Sequence, residues 1–120
     1  MSKKAKKDTD NLAAVLDKIP QMFGNQAALG MRLHETILSA APELKPRLWY
    51  GMPGYARGLS KPVLVFIRRD DYLTFGITEK ANIVLEPGAT DQLIPSSWFM
   101  RELDAATEAR IAAIVRVAVG

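Results

Sequence analysis

The sequence contains no cysteine and a single histidine, His34, in 120 residues. The lack of cysteine excludes disulfides, thiolate metal sites and cysteine nucleophiles. No apolar run approaches the ~20 residues that a membrane-spanning helix needs. No apolar stretch of signal-peptide length follows the basic start either, so we expect a cytoplasmic protein with no membrane association. The phosphate-binding motifs G-x-x-x-x-G-K-[ST] and G-x-G-x-x-G do not occur.

The composition is that of an ordinary globular domain, with 48% apolar and 24% charged residues. The length fits one domain with a single core. The net charge of +3 has a local origin, because four lysines lie within the first seven residues and the rest is close to neutral. We therefore interpret residues 1–8 as a disordered basic leader and residues 9–120 as the domain. A short lysine leader attracts phosphate only weakly, so we do not expect a nucleic-acid partner.

The hydrophobic pattern predicts helices at both ends of the chain. Residues 12–19 place apolar side chains at i, i+3, i+4 and i+7, and Pro20 is expected to end that helix. A second helix is expected over residues 26–40. A last helix is expected after Asp104, whose carboxylate suits an N-cap.

Between these helices the pattern changes to that of strands. Strands are expected near residues 47–50, 62–68, 72–77 and 96–101. A turn or bulge is expected at residues 51–54, which hold two glycines and a proline, and a short helix at 79–85. The sequence thus predicts an α+β single domain, with an antiparallel sheet of about four strands packed by N-terminal and C-terminal helices.

One segment, Leu48 to Tyr55, reads LWYGMPGY and is followed by the strand sequences VLVF and LTFG. This order resembles the YdhG-like domain family, in which Y-G-M-P-x-[WYF] closes the first strand. The S-W-F sequence before the last helix is also similar, so that the resemblance covers roughly residues 29–119. It implies an antiparallel sheet packed by terminal helices and supplies no catalytic residues. Some members are described as frataxin-like iron chaperones.

The patterns for catalysis and metal binding are weak. Asp70 and Asp71 lie at a predicted hairpin tip, where aspartate supplies turn hydrogen bonds. One histidine and no G-x-S-x-G motif give no hydrolytic triad, so no catalytic residue is assigned and we do not expect an enzyme. The first helix offers Asp8, Asp10 and Asp17, fewer carboxylates than a frataxin-like iron site needs. No metal ligand or cofactor is assigned, and iron is kept as an alternative.

Aromatic residues gather around the glycine–proline segment. Tyrosine and tryptophan combine an apolar ring with one polar atom, which suits the orientation of a small ligand. The competing interpretation is that these rings form the core, and it applies most to Tyr50 and Trp98. Tyr55 is expected to be the most exposed. The candidate pocket comprises Trp49, Tyr50, Met52, Tyr55, Arg57, Glu79, Asn82 and Trp98.

Three functional hypotheses follow. The first is a non-enzymatic cytoplasmic binding module that holds an unknown small molecule or protein partner at the Trp49–Tyr55 segment. The second is frataxin-like iron binding. The third is self-association, for example as a homodimer, through a free sheet edge or an exposed apolar patch.

Overall fold

The computed structural model describes residues 2–120, which form three α-helices and five β-strands. The helices are α1 (Lys3–Phe23), α2 (Ala27–Ala40, after a short 3-10 turn at Gly24–Gln26) and α3 (Ala105–Val119). The strands are β1 (Lys45–Trp49), β2 (Met52–Ala56), β3 (Val63–Arg69), β4 (Leu73–Ile77) and β5 (Ser97–Met100). The predicted α+β architecture is confirmed, with five strands instead of about four.

The strands form one antiparallel sheet in the order β1-β2-β3-β4-β5, so each strand pairs with its neighbour in the chain. The fifth strand arises because the expected turn at residues 51–54 is wrong. The chain reverses at Tyr50 and Gly51, whose φ angles of 50° and 77° suit a type I′ hairpin turn. Pro53 is tolerated in β2 because it faces Leu48 at a position where no amide hydrogen is donated to β1.

All three helices pack on one face of the sheet, here called the inner face. Side chains alternate along each strand, so Tyr55, Val65, Ile67 and Phe75 point to that side and are fully buried. They contact apolar residues from the helices, namely Val15, Ile19, Phe23, Leu33, Ile37, Ile111 and Val115. These contacts form one continuous core, which fixes the orientation of every strand.

Helix α1 is longer at both ends than the sequence predicted. The segment interpreted as a disordered leader is helical from Lys3, because the Ser2 hydroxyl accepts a hydrogen bond from the Ala5 amide at 3.1 Å. Met1 lies outside the described residues. Pro20 does not end the helix either, because burial of Ile19 and Phe23 holds the next turn against the core.

The connection between β4 and β5, residues 78–96, replaces the short helix predicted at 79–85. It contains neither helix nor strand, because its polar groups bond to other elements. The Thr78 hydroxyl donates to the Val63 carbonyl at 2.6 Å, and the Asn82 amide donates to the Ala118 carbonyl at 2.8 Å. At the far end, the Ile77 amide donates to the Ser96 carbonyl at 2.7 Å. Both ends of the connection are therefore fixed to the domain.

Among the helices formed by residues 2–120, none has both the length and the hydropathy needed to cross a membrane.

Candidate functional site

The second face of the sheet points away from the helices and is here called the outer face. Alternation of side chains along each strand determines which residues it carries. They are Lys45, Arg47 and Trp49 of β1; Met52, Gly54 and Ala56 of β2; Phe66 and Arg68 of β3; Thr74 and Gly76 of β4; and Ser97 and Phe99 of β5.

Two aromatic rings lie side by side on this outer face. The ring centroids of Trp49 and Phe66 are 5.4 Å apart, at an angle of 36°. Two glycines make room for them: a Cβ at Gly76 would overlap the Phe66 ring, and a Cβ at Gly54 would lie 2.8 Å from Trp49 Cβ. The absence of side chains at these positions lets both rings lie against the sheet and remain half-buried.

The β4–β5 connection rises beside these rings and encloses a cleft of about 870 Å³, here called the outer cleft. Trp49 and Phe66 form its aromatic part, and Ile83, Ile94 and Pro95 supply an apolar wall. The polar and charged lining residues are Arg47, Tyr50, Thr78, Glu79, Lys80, Ser96 and Ser97. The cleft thus combines a flat apolar surface with a rim of hydroxyl groups and charges of both signs.

Arg47 is the rim residue that the fold holds most firmly. Its Nη1 donates to the carbonyls of Gly58 and Leu59, at 3.3 and 3.0 Å. These bonds tie β1 to the loop between β2 and β3. They also place a fixed positive charge beside the aromatic rings, whereas Glu79 and Lys80 are exposed.

Three of the sequence-predicted site residues, Trp49, Tyr50 and Glu79, meet in the outer cleft. Tyr50 is 84% exposed at the hairpin turn and its ring meets Trp49 edge-on at 4.8 Å, so the core interpretation of Tyr50 is wrong. The expectation that Tyr55 is exposed is also wrong, since it is fully buried. Both differences have one cause: the turn uses two residues instead of four, and β2 therefore carries Tyr55 to the inner face.

The other predicted residues lie elsewhere. Met52 is on the outer face, outside the lining of the cleft. Trp98 belongs to the inner face and stacks on Phe75 at 5.6 Å, as its core interpretation requires. Arg57 donates to the Val119 carbonyl, and Asn82 Nδ2 donates to the Val117 carbonyl at 3.0 Å, so both hold the end of α3.

Sequence reasoning missed Phe66, Ile83 and Ile94 as cleft residues. Phe66 lies within the run VLVF, which is apolar at both parities and suggested burial on both faces. The informative signal is the cross-strand row Gly54–Phe66–Gly76, and it can be recognised only when the strand register is known.

The single histidine is buried and hydrogen-bonded within the domain. His34 of α2 is buried, and its Nδ1 lies 2.8 Å from the Tyr55 hydroxyl. Burial lowers the pKa of His34, an effect that the neighbouring Glu35 carboxylate opposes. Burial also raises the pKa of Tyr55. Two neutral side chains therefore share this hydrogen bond. Within residues 2–120, no three histidine, aspartate or glutamate side chains cluster closely enough to hold a metal ion together.

The fold and the cleft together define an α+β domain with a ligand-sized recess on the open face of an antiparallel sheet. Comparison of the chain with models of protein families, with curated proteins and with solved structures finds no match. Function is therefore inferred from the geometry of the outer cleft.

Proposed function

We propose that this protein is a non-enzymatic cytoplasmic binding module whose outer cleft holds a small molecule with a flat ring. The observation that carries the proposal is the Trp49–Phe66 pair, two neighbouring rings that the glycines keep half-buried on the open face of the sheet. A flat ligand would cover them and remove their remaining apolar surface from water. The LWYGMPGY segment, which resembles the YdhG-like family, supplies Trp49 and Tyr50 to this cleft, and the resemblance leaves the ligand open.

The size and lining of the cleft support the proposal. Its volume of about 870 Å³ lies within the roughly 300–1,000 Å³ usual for small-molecule sites. Such sites are mostly apolar and have a few polar groups that fix the orientation of the ligand. Here Arg47 and the hydroxyls of Ser96 and Ser97 are placed to do so.

The conformation of Tyr50 gives independent support. A bulky residue with a φ of 50° is strained by about 1–2 kcal/mol relative to a right-handed conformation. Tyr50 is 84% exposed and adds nothing to the core. A large side chain kept at such a position, beside the cleft and against Trp49, is well explained by contact with a ligand.

The first test is a fragment screen followed by amide chemical shifts of the 15N-labelled protein. The fragments are planar aromatic acids, amines and neutral heterocycles at millimolar concentration. We expect binders to shift the amides of Trp49, Phe66, Ile94, Ser96 and Ser97. Trp49→Ala should abolish these shifts. The matched control Phe99→Ala removes an exposed ring of the same face outside the cleft and should retain them. A screen in which no fragment shifts these amides would overturn the proposal.

Tryptophan fluorescence gives a second readout. The chain has two tryptophans, and Trp98 packs on the inner face. The Trp98→Phe variant therefore leaves Trp49 as the sole tryptophan reporter. A fragment bound in the cleft should change its emission with the same dissociation constant as the amide shifts, and different constants would place the fragment elsewhere.

A further inference from the structure

A second group of aromatic residues lies on the outer face beyond the cleft. Tyr72 and Phe99 stack with their ring centroids 5.6 Å apart, at an angle of 26°. The Arg101 guanidinium lies 5.4 Å from the Tyr72 ring centroid and donates to its hydroxyl at 3.2 Å. Phe99 is 68% exposed. This group, here called the edge cluster, is a flat surface with a cation beside it.

The strands of the outer face carry charged side chains of one sign only. Its strands contribute Lys45, Arg47 and Arg68, and Arg101 follows β5 directly. No aspartate or glutamate occurs in the five strands of the described chain. The nearby carboxylates are at the margins, where Glu79 is on the cleft rim, Glu102 follows Arg101, and Asp70 and Asp71 form the β3–β4 turn. The face is therefore basic although the sequence after residue 7 is close to neutral overall.

The spacing of the two aromatic groups follows from the register. Phe66 of β3 pairs with Gly76 of β4, and Gly76 pairs in turn with Ser97 of β5. Phe99 is therefore two strands away from Phe66 and two residues further along β5 than Ser97. Strand separations near 4.8 Å and a rise of about 3.4 Å per residue put the Cα atoms of Phe66 and Phe99 about 12 Å apart. Arg68 stands in the same row as Thr74 and Phe99. The residues between the two aromatic groups, Gly76, Thr74 and Ser97, are thus small or carry a hydroxyl group, and the Arg68 side chain lies beside them.

We propose that the outer face binds single-stranded nucleic acid, with one base in the outer cleft against Trp49 and Phe66 and another on Phe99. Arg68 and Arg101 would meet the phosphates between and beside these bases. Aromatic rings interleaved with cations are how proteins bind single strands without reading their sequence. A duplex fits poorly, because paired bases cannot stack on the rings. The inference rests on the proposed function, since the cleft is one of its two stacking positions.

The experiment is a fluorescence anisotropy titration of the full chain with a fluorescein-labelled strand of ten thymidines, at 50 and 200 mM salt. We expect binding that a labelled GC-rich duplex, which stays paired at 50 mM salt, does not show. Trp49→Ala and Phe99→Ala should each weaken it at least about fivefold, the range for loss of one stacked base. Arg68→Gln should reduce the slope of log affinity against log salt by about 0.7, the value for one single-strand phosphate. Circular dichroism melts verify that each variant is folded.

Two controls separate this face from other basic groups. Arg116→Gln removes an exposed arginine of α3 that lies beside α2 on the helical side of the domain, and should leave affinity unchanged. In a second control, Lys3, Lys4, Lys6 and Lys7 are changed to glutamine in the same chain. This change should weaken binding by the same factor whether residue 99 is phenylalanine or alanine, so that Phe99→Ala still lowers the affinity.

The inference is overturned if the single strand does not bind at 50 mM salt, or if the duplex binds equally well. It is also overturned if the lysine variant abolishes binding while Phe99→Ala has no effect, which would assign binding to the start of α1. Any of these results leaves the small-molecule proposal standing as long as flat fragments still shift the amides of the cleft. Failure of the fragment screen is a separate result that removes the proposed function itself.

Discussion

The hydroxyl of Tyr55 and Nδ1 of His34 are 2.8 Å apart, and this hydrogen bond joins β2 to α2 inside the core. Both side chains are buried, and they lie 21 residues apart in the chain. Each therefore satisfies a polar group that would otherwise be buried without a partner. The bond links the hairpin that carries Trp49 to the helical layer behind the sheet.

Removal of the Tyr55 hydroxyl should destabilise the protein. In Tyr55→Phe the ring still fills its space, but the His34 nitrogen loses its partner, at a cost of about 1–3 kcal/mol. Urea unfolding followed by circular dichroism measures the loss. Tyr50→Phe removes a hydroxyl from a residue that is 84% exposed and should leave the midpoint unchanged. Equal midpoints for Tyr55→Phe and the wild type would show that the bond contributes nothing.

Stability should fall as the pH drops through about 6.5. Burial lowers the pKa of folded His34 below its usual value of 6.5. The unfolded chain therefore binds more protons than the folded chain in this region, and the free energy of unfolding decreases toward acid. The urea midpoint should be constant between pH 8 and 7 and decrease between pH 6.5 and 5. His34→Gln should be less stable at pH 8 and should lack most of the decrease; an unchanged decrease would assign it to other groups.

Gly76→Ala should damage the cleft more than the fold. The new methyl group would overlap the Phe66 ring, and that half-buried ring can move outward on the open face. We expect a cost of about 1 kcal/mol together with loss of fragment binding at Trp49. Gly58→Ala is the matched control, because its Cβ would come no closer than 3.7 Å to another residue. Unchanged fragment binding in Gly76→Ala would mean that Phe66 is not part of the site.

Tyr50→Asn should stabilise the protein while weakening its binding. Asparagine followed by glycine is the preferred pair for a type I′ turn, so relief of the strained tyrosine should add about 0.5–1 kcal/mol. Thermal unfolding measures the gain, and the fragment titration measures the loss. If the variant is more stable and binds normally, Tyr50 plays no part in recognition.

Much of the fold was predictable because it depends on local patterns. The i, i+3, i+4 stripe around Val15 and the capping carboxylate of Asp104 are visible in the sequence, and both appear in the structure. The Asp104 carboxylate accepts from the Thr107 hydroxyl at 2.6 Å and from the Thr107 amide at 2.8 Å, and these two hydrogen bonds lower its pKa.

The predictions of secondary structure that were wrong are those in which contacts with residues distant in the sequence override the local propensity. The sequence predicts a short helix at 79–85, but the hydroxyl of Thr78, the residue before it, bonds to the Val63 carbonyl on a neighbouring strand. Pro53 was expected to prevent a strand, and it is accepted because of its place in the hairpin. Within the site, the sequence predicted only Trp49, Tyr50 and Glu79. The other lining residues come from β1, β3, β4, β5 and the connection between β4 and β5, and only the strand register shows that they lie together.

Because both ends of residues 78–96 are fixed to the domain, the fold should not depend on an unbroken chain between them. The exposed middle of this connection, around Pro87 and Gly88, makes few of the contacts that hold the domain together. A protease that cuts there should leave β5 and α3 attached, because β5 stays paired with β4 and the Arg32 guanidinium of α2 bonds to Glu108 of α3. The coding sequence could accordingly be divided near Pro87 and Gly88, and the two separately expressed fragments should associate into one folded domain.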